Sequence, residues 1–155
     1  MLSKKSKYAI NALVYLARQA RKDANRKVQI SEISEAQHIP RKFLETILLD
    51  LKNAGILGSK MGRGGGYYLR KPTSEVNLAE VYRIFDGAIG LLPCVTYNYY
   101  EKCEECRDEE TCGIREAILE VRNKTVEILK ENTLQAILDT EDKKIAELLK
   151  SDTPD

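Results

Sequence analysis

Residues 39–55 read IPRKFLETILLDLKNAG, and the assignment of this stretch decides the fold. Ile39 precedes a proline and so avoids the helical region, while Pro40 suits the first position of a helix. Beyond it Phe43, Leu44, Ile47, Leu48 and Leu51 recur at three- and four-residue steps, the apolar face of an amphipathic helix, and Gly55 is its C-terminal stop. Upstream, Ser31 is placed to cap a shorter helix that runs to about Gln37. Two short helices, a tight turn and a basic start to the second make a helix-turn-helix. His38, the only histidine, falls in that turn and is expected to pack or hydrogen-bond there rather than to bind metal.

The flanking segments extend this unit. In residues 6–20 the apolar positions Tyr8, Ala9, Ala12, Leu13, Leu16, Ala17 and Ala20 mark one face of a first helix, followed by the short, β-prone run Val28–Ile30. On the other side, ILGSKM (56–61) and GYYL (66–69) surround the glycine-rich GRGG (62–65), the pattern of a β-hairpin. A phosphate loop would need Gly-Lys-Ser/Thr after the glycines, and a dinucleotide fingerprint would need glycine where Tyr67 stands, so the hairpin is read as a wing. Asn77 with Glu80 forms a capping pair for a helix through Phe85. From about Gly113 a long helix carries Ile114, Ile118, Val121, Thr125 and Ile128 along a narrow seam, which suits pairing with a copy of itself. The expected fold is mainly α with a small β-wing, a winged helix-turn-helix plus a long dimerisation helix.

Charge separates the two halves of the chain. Residues 1–72 hold 15 Lys+Arg against 5 Asp+Glu, and residues 73–155 hold 10 against 19, so a net charge of +1 hides halves of +10 and −9. The basic half is suited to a polyanion such as double-stranded DNA. No Ser/His/Asp or Cys/His set is available, so an enzyme is not expected. Nor does any apolar run approach the roughly 18 to 20 residues that span a bilayer, and the first twenty residues mix charged with apolar positions. A cytoplasmic protein with no membrane partner is the expectation. In that reducing compartment four cysteines argue for metal binding, a redox role or plain burial rather than for permanent disulfides.

Taken together, LSKKSKYAINAL, IPRKFLETILLDLKNAGIL, GRGGGYYL, NLAEVYRIFDG and the cysteine loop that follows resemble the Rrf-two family of bacterial regulators, over roughly residues 1–131. The resemblance implies a homodimeric winged helix-turn-helix regulator that represses or activates transcription, with a sensory loop between wing and dimer helix. The expected organisation is a DNA-binding region over 1–85, a cysteine-rich sensory loop over 86–112, a dimerisation helix over 113–131 and a C-terminal helical segment and tail over 132–155. Carried over by residue, the resemblance puts Pro40, Arg41, Lys42 and Glu45 at the exposed start of the recognition helix, and Lys60 with Arg63 on the wing. Arg41 and Lys42 can reach phosphates or guanine edges, Glu45 can accept from a cytosine amine or pair locally, and a wing arginine suits a narrow minor groove.

Residues 103–112 read CEECRDEETC, three thiols and five carboxylates in ten residues, with Cys94 upstream. Cluster-binding members of the family commonly use Cys-x5-Cys-x5-Cys. Here Cys106 and Cys112 match the second interval, while Tyr100 occupies the place of the first ligand. Cys94, Cys103, Cys106 and Cys112 are therefore the expected metal ligands, all four together. An iron–sulfur cluster is the first expected occupant, ahead of zinc; thiol/disulfide sensing and an inert loop stay open. The surrounding carboxylates should raise the thiol pKa values and so disfavour a bare thiolate sensor. The alternative reading of the whole chain is a protein-interaction module, or a cluster-free regulator of cysteine metabolism, that binds a metabolic enzyme.

Overall fold

The computed structural model describes residues 2–151. Helix α1 (Lys4–Lys22) is followed by α2 (Ile30–Gln37), α3 (Arg41–Asn53), the hairpin β1 (Leu57–Lys60) and β2 (Gly66–Leu69), α4 (Leu78–Phe85), a single 3-10 turn at Pro93–Val95, α5 (Gly113–Glu131) and α6 (Leu134–Ser151). This is the winged helix-turn-helix with a long additional helix.

The core is where the periodic apolar faces meet. Ala9, Ala12, Leu13, Leu16 and Ala17 of α1 lie against Ile33 of α2 and against Leu44, Ile47, Leu48 and Leu51 of α3, all at most 2% exposed. Each fully buried leucine or isoleucine contributes about 1.5–3 kcal/mol. Ser3 caps α1 through a 3.1 Å bond that its hydroxyl accepts from the Ser6 amide. A second tie spans the domain, because Asp86, just beyond α4, accepts from the Ser3 amide at 3.2 Å and from the Ser6 hydroxyl at 2.6 Å. Burial pushes the Asp86 carboxyl up, but these hydrogen bonds outweigh it and hold the pKa below the usual carboxylate range.

Three details differ from the sequence reading. Helix α2 begins at Ile30 with Gln29 as its cap residue and no side-chain capping bond, so Ser31 lies inside the helix and does not cap it. The cause is the pairing of Val28 with Tyr67 (amide to carbonyl 2.9 and 2.8 Å), which holds the chain against the wing until two residues before the helix starts. Phe43 is not inward but 61% exposed. At about 100° per residue it lies roughly 90° from the centre of the face formed by Leu44, Ile47, Leu48 and Leu51. His38 neither packs nor hydrogen-bonds through its side chain: it is exposed, and its left-handed backbone (φ 51°) ends α2. The turn is held instead by Ser34, whose hydroxyl donates to the Ile39 carbonyl at 2.7 Å, and by burial of Ile39.

The wing pairs Leu57 with Leu69, Gly58 with Tyr68, Ser59 with Tyr67 and Lys60 with Gly66. Its tip needs glycine: Gly64 has φ +74°, and a Cβ on Gly65 would come within 2.2 Å of the Lys60 carbonyl oxygen.

The C-terminal segment returns to the same core. Thr133 pairs with Asn77, the Leu134 amide donates to the Val76 carbonyl at 2.9 Å, and Leu134 and Leu138 join the buried cluster. Arg18 holds Glu141 at 2.6 Å and Asp142 at 2.8 Å, and Arg21 holds Asp142 at 2.8 Å and also Asp139. Part of the charge separation read from sequence is thus spent inside the chain, fastening α6 to α1.

Candidate nucleic-acid interface and cysteine loop

Helix α3 turns its polar face outward. Pro40, Arg41, Lys42 and Glu45 are all exposed, as are Thr46, Phe43 and Leu49. Arg41 and Glu45 form an i,i+4 ion pair at 3.4 Å, with side chains 65% and 58% exposed. Such a pair is worth only about 0.3–0.5 kcal/mol, so either partner is released at little cost for a base or phosphate. Lys42, and Lys60 and Arg63 on the wing, make no ion pair among the described residues. The Lys52 ammonium donates to the Ser59 hydroxyl at 2.7 Å, tying the end of α3 to β1 and fixing the wing relative to the helix. The sequence reading placed Phe43 inward and did not place Thr46 on this exposed face. The spacing contained the signal: once Leu44, Ile47, Leu48 and Leu51 point inward, Lys42, Glu45, Thr46 and Leu49 share the opposite face.

The long helix α5 has two faces. Arg115, Leu119, Arg122, Val126 and Leu129 are buried or half-buried. Roughly 100° around the axis, Ile114, Val121 and Ile128 are 71%, 48% and 57% exposed, with Thr125 exposed between them and Ile118 half-buried at the border.

The loop brings its thiols together as two pairs. Cys94 is buried in the 3-10 turn and shares a cleft of about 190 Å³ with Cys103, while Cys106 and Cys112 are near enough to shift each other's ionisation, the Cys106 thiol donating to the Asp108 carbonyl at 3.3 Å. No three metal-binding side chains converge on one point among the described residues. The thiols differ electrically. Cys103 is pushed up chiefly by its hydrogen bond to Glu105 (3.3 Å), as the acidic surroundings suggest, whereas for Cys106 desolvation is the main cause, followed by Cys112. Cys112 departs from the expectation. It caps α5, accepts from the Arg115 amide at 3.4 Å, and that bond with those from Cys106 and the Ile114 amide lowers its pKa. Tyr100, at the position of the missing cysteine, donates to both Glu109 oxygens at 2.6 and 2.7 Å. As a donor set, four thiols of which three are only half-covered on one irregular loop suit an iron–sulfur cluster, provided the two pairs close on each other.

The family model Rrf2, "Iron-dependent Transcriptional regulator", matches residues 2–140. The chain belongs to the Rrf2 family. It is 41% identical over 138 residues to an Rrf2-like HTH-type transcriptional regulator of Rhodobacter capsulatus, covering 89% of this chain and 92% of that one. It is also 34% identical over 91 residues to the HTH-type transcriptional regulator IscR of Cereibacter sphaeroides, covering 59% and 58% of the two chains. Among solved structures its fold resembles CymR, the global cysteine regulator of B. subtilis (TM-score 0.72, 22% identity, 90% and 97% covered), and T. potens IscR (TM-score 0.69, 21% identity, 93% and 90% covered). The protein is therefore a DNA-binding transcription regulator of this family and not an enzyme. Among its described residues no helix is long and apolar enough to cross a membrane.

Proposed function

We propose that this Rrf2-family regulator acts in the cytoplasm as a homodimer on a pseudo-palindromic duplex and reports iron–sulfur or redox status through its cysteine loop. The observation that carries the reading is the position of the loop: its thiols lie between α4, the last helix of the winged domain, and α5, whose apolar residues face solvent. Two protomers joined through Ile114, Ile118, Val121, Thr125 and Ile128 would present two α3 helices related by a two-fold axis, matching half-sites one or more helical turns apart. Arg41, Lys42 and Glu45 read the major groove from behind Pro40, and Lys60 and Arg63 hold the adjoining backbone or minor groove.

Cys94, Cys103, Cys106 and Cys112 would hold the cluster. Once bound, it would supply a redox couple that the neighbouring carboxylates bias toward low potential. Drawing the two thiol pairs together would alter how the winged domain sits on α5, and DNA affinity would change by the difference in cluster affinity between the two arrangements. Zinc remains the lesser alternative. The test is anaerobic purification with an absorbance spectrum and iron, sulfide and zinc analysis, combined with selection of bound sequences from a random duplex pool. The reading requires brown protein that bleaches on Cys106→Ser or Cys112→Ser, and a two-fold symmetric motif. Colourless, metal-free protein after iron–sulfide reconstitution would remove the cluster.

A second reading has its own support. The neighbouring Cys106 and Cys112 thiols, of which Cys112 caps α5 and has a lowered pKa, suit a thiol/disulfide sensor. Mass analysis would then find a Cys106–Cys112 disulfide after mild peroxide treatment.

A further inference from the structure

Between the winged domain and α5 lies a cavity of about 260 Å³ that DNA binding and the thiols leave without a role. Its walls include Arg83 on α4, Gly87, Tyr97, Asn98 and Tyr99 on the connecting loop, and Arg122 on α5. Arg122 is only 9% exposed, its Nε donates to nothing, and its guanidinium stands 4.5 Å from the centre of the Tyr97 ring. No carboxylate lines the cavity, and among the described residues neither Arg83 nor Arg122 belongs to an ion pair. Arg18 and Arg21, by contrast, are paired with carboxylates of α6, while Arg115, on the same face of α5, shares the unpartnered Nε. Burying the Nε of a guanidinium with no partner and no ion pair is costly, and the Tyr97 contact offsets only part of that cost.

We infer that this cavity is a binding site for a small metabolite bearing a carboxylate or phosphate group. Two arginines from different helices present planar forks suited to one oxyanion. The Asn98 amide supplies a further donor, and the rings of Tyr97 and Tyr99, 84% and 64% exposed, flank the mouth where a short carbon skeleton would lie. The volume is below the roughly 300–1,000 Å³ of drug-sized pockets, which restricts the ligand to a few carbons. Because Arg83 belongs to the winged domain and Arg122 to α5, an anion held by both draws these elements together. Occupancy therefore biases the same hinge as the thiols do, from the other side and by different chemistry. By linkage, the state of the thiols and occupancy of the cavity then change each other's affinity.

Thermal unfolding and calorimetric titration of the full-length protein test this, with inorganic phosphate, succinate, 2-oxoglutarate and citrate as probes and sodium chloride at matched ionic strength as the reference. At least one probe should raise the melting temperature saturably with one site per chain. The phosphate and carboxylate arms identify which oxyanion is preferred. Arg122→Met and Arg83→Gln should each weaken that binding roughly tenfold or more, as expected for removal of a charge-assisted hydrogen bond. If Arg122→Met fails to fold, Arg83→Gln decides, since Arg83 is exposed on its helix. A response equal to chloride for every probe, or unchanged binding in the folded variants, would overturn the assignment.

Discussion

If two protomers join through α5 as proposed, replacing Val121 and Ile128 together by glutamate should split that dimer and leave the protomers folded. Both side chains are about half exposed in the single chain (48% and 57%), so burial of the remaining half in a subunit seam contributes about 1 kcal/mol each, taking about 1.5–3 kcal/mol for a whole side chain. A two-fold seam counts each position twice, giving about 4 kcal/mol for the pair. At 1.4 kcal/mol per decade this is roughly a thousand-fold in the dimer dissociation constant. Carboxylates forced into the seam without partners add to the loss. In the separated protomer the same glutamates meet water, and the cost there should stay near about 0.5 kcal/mol. Sedimentation equilibrium measures the first quantity and circular dichroism melting the second. A double variant that is dimeric at wild-type affinity would remove this face of α5 from the interface. One that unfolds would show that Val121 and Ile128 belong to the protomer core.

Lys42→Ala, Arg41→Ala and Arg63→Ala should each weaken operator binding, and every phosphate-neutralising charge removed should reduce the slope of log affinity against log salt by about one unit per protomer; unchanged slopes for all three would misplace the DNA-binding surface. Phe43→Ala should leave the melting temperature nearly unchanged while relaxing base preference, because its exposed ring is available to a thymine methyl group, and equal binding to the selected and scrambled duplexes by wild type and variant alike would refute that role. Leu138→Ala should cost about 2–5 kcal/mol in denaturant unfolding if α6 completes the winged-domain core, whereas a change below about 0.5 kcal/mol would detach the helix from it. Asp86 has a folded pKa below its unfolded value of about 3.9, so its contribution to stability is present above that value and disappears as pH falls through the lower folded pKa. Asp86→Asn should flatten this part of the stability–pH curve, and a curve identical to wild type between pH 5 and the acid limb would refute the role given to Ser3 and Ser6.

Local pattern alone determined the elements whose apolar residues repeat at helical steps: α1, the helix-turn-helix, α5 and, with its glycines, the wing. There the periodicity of the side chains is itself the cause of burial, and a loop that must adopt positive φ advertises itself by glycine. The exposed basic start of α3 was legible for the same reason, since the face opposite the leucines has nowhere to go but water. Tertiary structure decided what depends on partners distant in sequence. Helix α2 starts at Ile30 because Tyr67, far along the chain, holds Val28. Phe43 points outward because the packing of α3 on α1 selects one of two overlapping faces, and composition cannot break that tie. Two of the lysine- and arginine-rich positions of α1 serve α6 and not DNA, which net charge could not show. The same holds for the thiols and for Arg122. Four clustered cysteines did not show that Cys94 lies with Cys103 and Cys106 with Cys112, or that one thiol sits on a helix N-terminus whose amides favour its anion. Arg122 announced nothing until the loop was seen to stack Tyr97 against it with its Nε left without a partner.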